Sequence, residues 1–75
     1  MFFERGENVK VFLSVVFPDE CNWDKVVEIV DRYEDAHCFD FSHAIYYTGD
    51  FETSEILLRA LTNLNYRMQI MRNFD

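Results

Sequence analysis

Glycine and proline are scarce in this sequence, whose 75 residues include two glycines and one proline. Disordered and low-complexity chains are usually rich in these residues, so the sequence does not belong to that class. Hydrophobic residues make up 49% of the chain and aromatic residues 17%, which is enough apolar surface for an ordered core. We therefore expect one compact domain over residues 1–75, with residues 1–8 as a polar lead-in that frays.

Basic residues are also few. The sequence has seven Lys and Arg and fourteen Asp and Glu, which gives a net charge of −7. Nucleic-acid binding depends on Lys and Arg to neutralise phosphates, and anionic membranes attract basic segments. We therefore expect neither direct nucleic-acid contact nor membrane binding. A protein partner with a basic surface is favoured. The alternative is that the surplus acid only keeps a small domain soluble.

Cysteine is limited to Cys21 and Cys38, which allow at most one disulfide. The N-terminal residues do not resemble a secretory signal, because Glu4 and Arg5 interrupt the apolar start. The longest apolar stretch, residues 11–17, is far shorter than the ~20 residues that span a bilayer. These features predict a cytoplasmic protein with free thiols.

The first half of the sequence predicts a strand, a helix and a second strand region. Residues 9–17 alternate as a strand with two largely apolar faces, and Pro18 ends it. Residues 23–35 have helical periodicity, with Asn22 as the N-cap. Residues 37–48 are strand-like and form either one long strand or two short strands that turn near residues 42–44.

The second half predicts a helix and a final strand. Asp50 or Thr53 caps a helix that runs to about Asn63. Its buried stripe comprises Ser54, Leu57, Leu58, Leu61 and Leu64. Residues 66–74 alternate as a strand. The order is an α+β fold, βαββαβ and ferredoxin-like, with a small sheet and two helices on one face. The alternative is a three-stranded βαβαβ sheet.

The sheet face opposite the helices is the first candidate contact surface. Its expected members are Phe12, Ser14, Val16, Cys38, Asp40, Tyr46, Arg67 and Met71. This set is too apolar for a solvated face, and exposed apolar patches usually mark an interface. The alternatives are a face covered by a chain terminus and a face that joins two copies of the chain.

An acidic ridge on the first predicted helix is the second candidate. Its members are Asp24, Glu28, Asp31 and Asp35, which share one helical face over roughly 16 Å. Phosphates in a nucleic acid are more closely spaced than these carboxylates. The ridge therefore imitates a nucleic acid only if neighbouring acids extend it. The alternative is a solvated helix face.

Metal-binding and catalytic chemistry have little support in the sequence. Ligand-type side chains occur at Cys21, His37, Cys38 and His43, but they lack the paired spacing of a zinc site. Neighbouring residues on a strand point to opposite faces, which separates Cys38 from His37 and Ser42 from His43. We expect no metal, no cofactor and no enzymatic activity.

The sequence thus predicts a non-enzymatic protein-binding module, an inhibitor or regulator that docks on a basic surface of a larger protein. Its partner-binding residues are the ridge together with Phe12, Tyr46 and Arg67. In composition alone the chain resembles the small acidic inhibitors that phages encode against host enzymes and defence systems. That resemblance implies an anti-defence role in a host cytoplasm. The alternative function is a structural or assembly subunit that forms a homodimer through the open sheet face.

Overall fold

A computed structural model of the chain describes residues 10–74. The described residues form four strands and two helices, namely β1 (Lys10–Val16), α1 (Trp23–Val30), β2 (Ala36–Phe39), β3 (Ala44–Asp50), α2 (Phe51–Thr62) and β4 (Gln69–Phe74). The prediction for the lead-in, residues 1–8, lies outside the described residues. None of the helices within residues 10–74 has the length and apolar character to cross a membrane.

The four strands form one antiparallel sheet in the order β2-β3-β1-β4. This order, with a helix after β1 and another after β3, fits the predicted ferredoxin-like arrangement. The three-stranded alternative is wrong, because the region of residues 37–48 supplies two strands. Both helices pack on the same side of the sheet, so the other side has no helix over it among the described residues.

The predicted alternation in β1 is confirmed. Val11, Leu13 and Val15 are fully buried on the helix side, while Phe12 lies on the opposite face. They join side chains from both helices and from β3 in the core, whose largest fully buried members include Ile45, Leu57, Leu61, Val26 and Val30. The core therefore lies between the sheet and the two helices.

The first helix begins where it was predicted and ends earlier. The Asn22 side chain accepts a hydrogen bond from the Lys25 amide at 3.3 Å, which satisfies a free N–H of the first turn. The helix ends at Val30 instead of Asp35, because the following amides bond three residues back. Tyr33 N, for example, donates to the Val30 carbonyl at 2.9 Å, which tightens the chain out of α-helical geometry.

The turn between β2 and β3 is built around His43. Its φ of 52° is left-handed, a conformation that His adopts more readily than most residues. The His43 carbonyl accepts a hydrogen bond from Phe17 N at 2.9 Å, which ties the turn to the end of β1. The hairpin therefore forms without the Asn-Gly dipeptide that usually marks such a turn.

The second helix is capped by Asp50, whose carboxylate accepts a hydrogen bond from the Thr53 amide at 3.1 Å. These hydrogen bonds hold the pKa of the Asp50 carboxyl below its usual value. Within the helix, Leu57 and Leu61 are fully buried, as predicted. After the helix, Asn65 takes the left-handed conformation with a φ of 65° and turns the chain toward β4.

The last strand starts at Gln69, three residues later than predicted. Tyr66 is drawn away from the sheet because its hydroxyl accepts a hydrogen bond from the Asn22 amide at 2.9 Å. Its ring also packs edge-on against Phe17, with the ring centroids 6.1 Å apart. These contacts hold Tyr66 beside Asn22, the N-cap of α1.

Candidate protein-binding surface

The sheet face opposite the helices is built from alternate residues of all four strands. The register places Ser14 of β1 opposite both Tyr46 of β3 and Met71 of β4, so the three side chains share one face. The whole set, which we call the open face, comprises Lys10, Phe12, Ser14, Val16, His37, Phe39, Ala44, Tyr46, Thr48, Asp50, Gln69, Met71 and Asn73.

Large apolar side chains are exposed on the open face. Phe12 and Tyr46 each keep 47% of their surface accessible, Phe39 keeps 49% and Met71 keeps 63%. The Phe39 and Tyr46 rings contact each other edge-on, with centroids 5.0 Å apart. Beside them, a shallow depression of about 350 Å³ is lined by Phe12, Tyr46 and Met71 together with polar groups. The face therefore presents exposed aromatic rings, two of which pack against each other, and a recess that can take a partner side chain.

The middle of the open face carries no acidic residue among residues 10–74, although the chain as a whole is strongly acidic. Asp50 lies at one end, opposite Lys10, and its carboxylate is occupied in capping α2. Asp35 and Asp40 are exposed and flank β2 at its two ends. Negative charge thus lies at the ends of β2 and at one end of β3, and it does not divide the apolar patch.

Three residues predicted for this face lie elsewhere. Cys38 pairs with Ile45 and packs against the core on the helix side, so its placement was wrong. Asp40 belongs to the turn after β2, where its carboxylate accepts a 2.8 Å hydrogen bond from the Trp23 indole. Arg67 is exposed but precedes β4, so it lies outside the sheet. The structure confirms the placement of Phe12, Ser14, Val16, Tyr46 and Met71.

The acidic ridge is shorter than predicted. Asp24 and Glu28 lie within α1, Asp31 is its C-cap, and Asp35 lies four residues beyond Asp31. All four side chains are exposed, but only the first three follow the helix, which ends before Asp35. Lys25 approaches Glu28 at 3.8 Å and offsets part of its charge. The correction is that no helical face within residues 10–74 carries all four carboxylates.

A thiol–imidazole pair appears that the sequence reasoning missed. Cys21 Sγ and His43 Nδ1 are 3.7 Å apart, although the residues are 22 positions apart in sequence. The His43 ring stacks on Trp23 with centroids 4.6 Å apart, and its Nδ1 also lies 3.3 Å from the Pro18 carbonyl oxygen. Only the tertiary fold brings these side chains together, so no sequence spacing indicated the pair.

The chemistry of this pair does not favour a nucleophile. Burial and the nearby Asp19 carboxylate raise the pKa of the Cys21 thiol, which leaves it protonated at neutral pH. Burial, with Asp31 and Asp40 nearby, also raises the pKa of the Cys38 thiol. Both cysteines are free thiols. Within residues 10–74, no group of three or more His, Cys, Asp or Glu side chains is arranged to hold a metal ion.

The helix-side edge of β4 carries a small cluster around Arg72. The Arg72 guanidinium donates to a Glu55 carboxylate oxygen at 2.6 Å. It also lies over the Phe51 and Phe74 rings, 5.3 Å and 5.6 Å from their centroids. Arg72 is thereby held toward α2, with its charge already paired.

No family model, curated protein or solved structure matches this chain.

Proposed function

We propose that this protein is a non-enzymatic protein-binding module, an inhibitor or regulator, whose main contact surface is the open face. The observation that carries the proposal is the set of half-exposed Phe12, Phe39 and Tyr46 rings with Met71 beside them. Monomeric proteins rarely leave such a contiguous apolar patch in water. Aromatic residues and Met are also the types enriched in the centres of protein interfaces.

The proposed partner has an apolar contact region with basic residues around it. A partner side chain can enter the recess beside Phe12 and Tyr46. In the middle of the face, no acidic residue of β1–β4 faces this recess, so an apolar side chain suits it. Basic residues at the edge of the contact then meet Asp35 and Asp40 at the ends of β2. This complementarity adds specificity and a faster association rate to the apolar contact.

The acidic ridge has a supporting role in this proposal. Asp24, Glu28 and Asp31 are exposed and belong to the helix layer, away from the open face. They contribute to the negative field that attracts a basic partner, without direct contact in the apolar centre. This arrangement modifies the hypothesis from the sequence, which placed Glu28 and Asp31 at the centre of the contact.

The test is a pulldown from cell lysate with three forms of the chain as bait. These forms are the natural sequence, Phe12→Thr/Tyr46→Thr, and Ile56→Thr. Threonine suits a strand, and both aromatic residues are half-exposed, so the double variant should remain folded. Ile56 is a matched control because it is an exposed apolar residue of α2, with 59% of its surface accessible. The captured protein is then purified, and its affinity for each form is measured by calorimetry at low and high salt.

The proposal predicts a partner held by the natural sequence and by Ile56→Thr but released by the double variant. Loss of two aromatic contacts worth about 2 kcal/mol together weakens binding by about 30-fold. Equal affinity for all three forms would refute the open face as the contact. Binding that does not weaken with salt would refute the basic character of the partner. Capture of only the chain itself, with that capture lost in the double variant, would favour the alternative function, a homodimer through the open face.

A further inference from the structure

The two edges of the sheet are protected to different degrees. Edge strands expose unpaired backbone N–H and C=O groups, and proteins commonly guard them with charge, proline or short length. The β2 edge is four residues long and has exposed acids, Asp35 and Asp40, immediately before and after it. The β4 edge is six residues long and exposes Ile70 and Met71. Within residues 10–74, the β2 edge therefore has short length and an acid at each end, whereas the β4 edge has neither; Asp75 follows β4 in the sequence.

The charge that β4 contains does not guard its edge. Arg72 is the charged residue in its sequence, and the guanidinium is bound to Glu55 and packed over the Phe51 and Phe74 rings. The strand contains neither proline nor glycine. Among residues 10–74, β4 thus combines β-forming residues, low effective charge and an outer edge with which no other strand pairs. These are the features of a strand that pairs with another chain.

The charge distribution indicates which strand of another chain can pair with β4. In a chain of net charge −7, residues 56–74 contain no acid and three arginines. Two copies that meet at β4 therefore bring no carboxylate of residues 56–74 against another, and Asp75 is the one acid that follows this segment in the sequence. At the β2 edge, by contrast, the flanking Asp35 and Asp40 of two copies would repel each other. Self-pairing is thus electrostatically permitted at β4 and opposed at β2.

We infer that two copies of this chain associate by antiparallel pairing of their β4 strands. A two-fold axis between the strands makes the contact identical for both copies and joins two four-stranded sheets into one of eight strands. Ile70 faces the helix side, because it pairs with Val15, and Met71 faces the open side, because it pairs with Ser14. Each face of the joint therefore gains an apolar contact from both copies.

The pairing also has a consequence for the open face. Met71 lies on that face beside the joint, so the open faces of the two copies form one continuous surface. Such a dimer presents two contact sites to a partner with repeated or two-fold symmetric structure. The pairing of β4 does not depend on the proposed function, since it concerns the edge and not the face.

The experiment measures molecular mass by light scattering from about 10 µM to about 1 mM, a range suited to a small interface of this kind. Ile70→Lys places a charge at the edge on the side away from the open face. Ile56→Lys makes the same change at an exposed isoleucine of α2 and serves as the control. Both variants are checked by far-UV circular dichroism. Hydrogen exchange of the natural chain, measured at the lowest and the highest of these concentrations, reports the protection of the β4 amides without any substitution.

The inference predicts a mass that rises toward two chains for the natural sequence and for Ile56→Lys. Ile70→Lys should stay monomeric or need at least about tenfold higher concentration. The β4 amides should exchange more slowly at high concentration, while those of β2 should not change. A natural chain that stays monomeric throughout, or an Ile70→Lys variant that dimerises normally, would overturn it. So would a dimer that is lost in Phe12→Thr/Tyr46→Thr but kept in Ile70→Lys, which would place the contact on the open face.

Discussion

Replacement of Leu61 by alanine tests the core that holds the open face in shape. Leu61 is fully buried in α2 and belongs to the cluster between the helices and the sheet. Removal of a buried leucine side chain loses its transfer free energy and leaves a cavity, at a cost of about 2–5 kcal/mol. Alanine is a better helix former than leucine, so the change in helix propensity does not add to the loss.

This cost is large compared with the stability of so small a domain. At roughly 0.05–0.15 kcal/mol per residue, 75 residues give a free energy of unfolding of about 4–11 kcal/mol. Leu61→Ala therefore removes a substantial part of it. With a urea dependence of about 1 kcal/mol per molar, the unfolding midpoint should fall by roughly 2 M or more.

Urea unfolding followed by tryptophan fluorescence and far-UV circular dichroism measures this change. Trp23 is the single tryptophan and stacks on His43 in the native state, so its emission reports the loss of tertiary structure. Ile56→Ala is the control, because Ile56 lies on the same helix but is exposed, and its cost should stay within about 0.5 kcal/mol. A loss below about 1 kcal/mol for Leu61→Ala would show that α2 does not pack as described.

Three further predictions concern the helix cap, a close contact in β3 and the acidic ridge. Asp50→Ala should cost about 0.5–2 kcal/mol at pH 7. Because the folded pKa of Asp50 is lowered, this stabilisation is complete above the unfolded pKa and fades as the pH falls below about 4, which unfolding at several pH values will show. Gly49→Ala would place a Cβ 2.2 Å from the hydroxyl of the buried Tyr47, so it should lower the free energy of unfolding, measured by urea unfolding, by about 1–3 kcal/mol. Glu28→Lys/Asp31→Lys should weaken partner binding in calorimetry without a change in circular dichroism, since both side chains are exposed; unchanged affinity would mean that the ridge is only solvated.

The element order and the buried faces were predictable because they depend on local periodicity. Val11, Leu13 and Val15 alternate in β1, and Leu57 and Leu61 repeat at helical spacing in α2. Each pattern indicates which side of the element is apolar. Because apolar surface is buried on folding, that side faces the core. The caps at Asn22 and Asp50 were predictable for a similar reason, since the capping bond is made within three residues.

The errors came from features that depend on tertiary contacts. Cys38 was placed on the wrong face because the face of β2 is set by its register with β3, and a shift of one residue reverses every side chain. The register in turn depends on a left-handed His43, which has no dipeptide signature. The end of α1 depends on backbone hydrogen bonds to the third residue back, and the start of β4 depends on the contact of Tyr66 with Asn22. Hydrophobic periodicity indicates neither.

The separation of the two candidate surfaces allows their roles to be distinguished by kinetics. The ridge lies on the helix layer and the aromatic patch on the open face, so substitutions in one leave the other intact. Long-range charge mainly changes the association rate, whereas loss of a packed contact mainly changes the dissociation rate. Glu28→Lys/Asp31→Lys should therefore slow association in a salt-dependent way, more than a Glu20→Lys/Glu52→Lys control that makes the same net change. Phe12→Thr/Tyr46→Thr should instead speed dissociation at any salt concentration. If the ridge variant changed only the dissociation rate, its carboxylates would have to contact the partner directly, and the partner would have to reach the helix layer as well as the sheet.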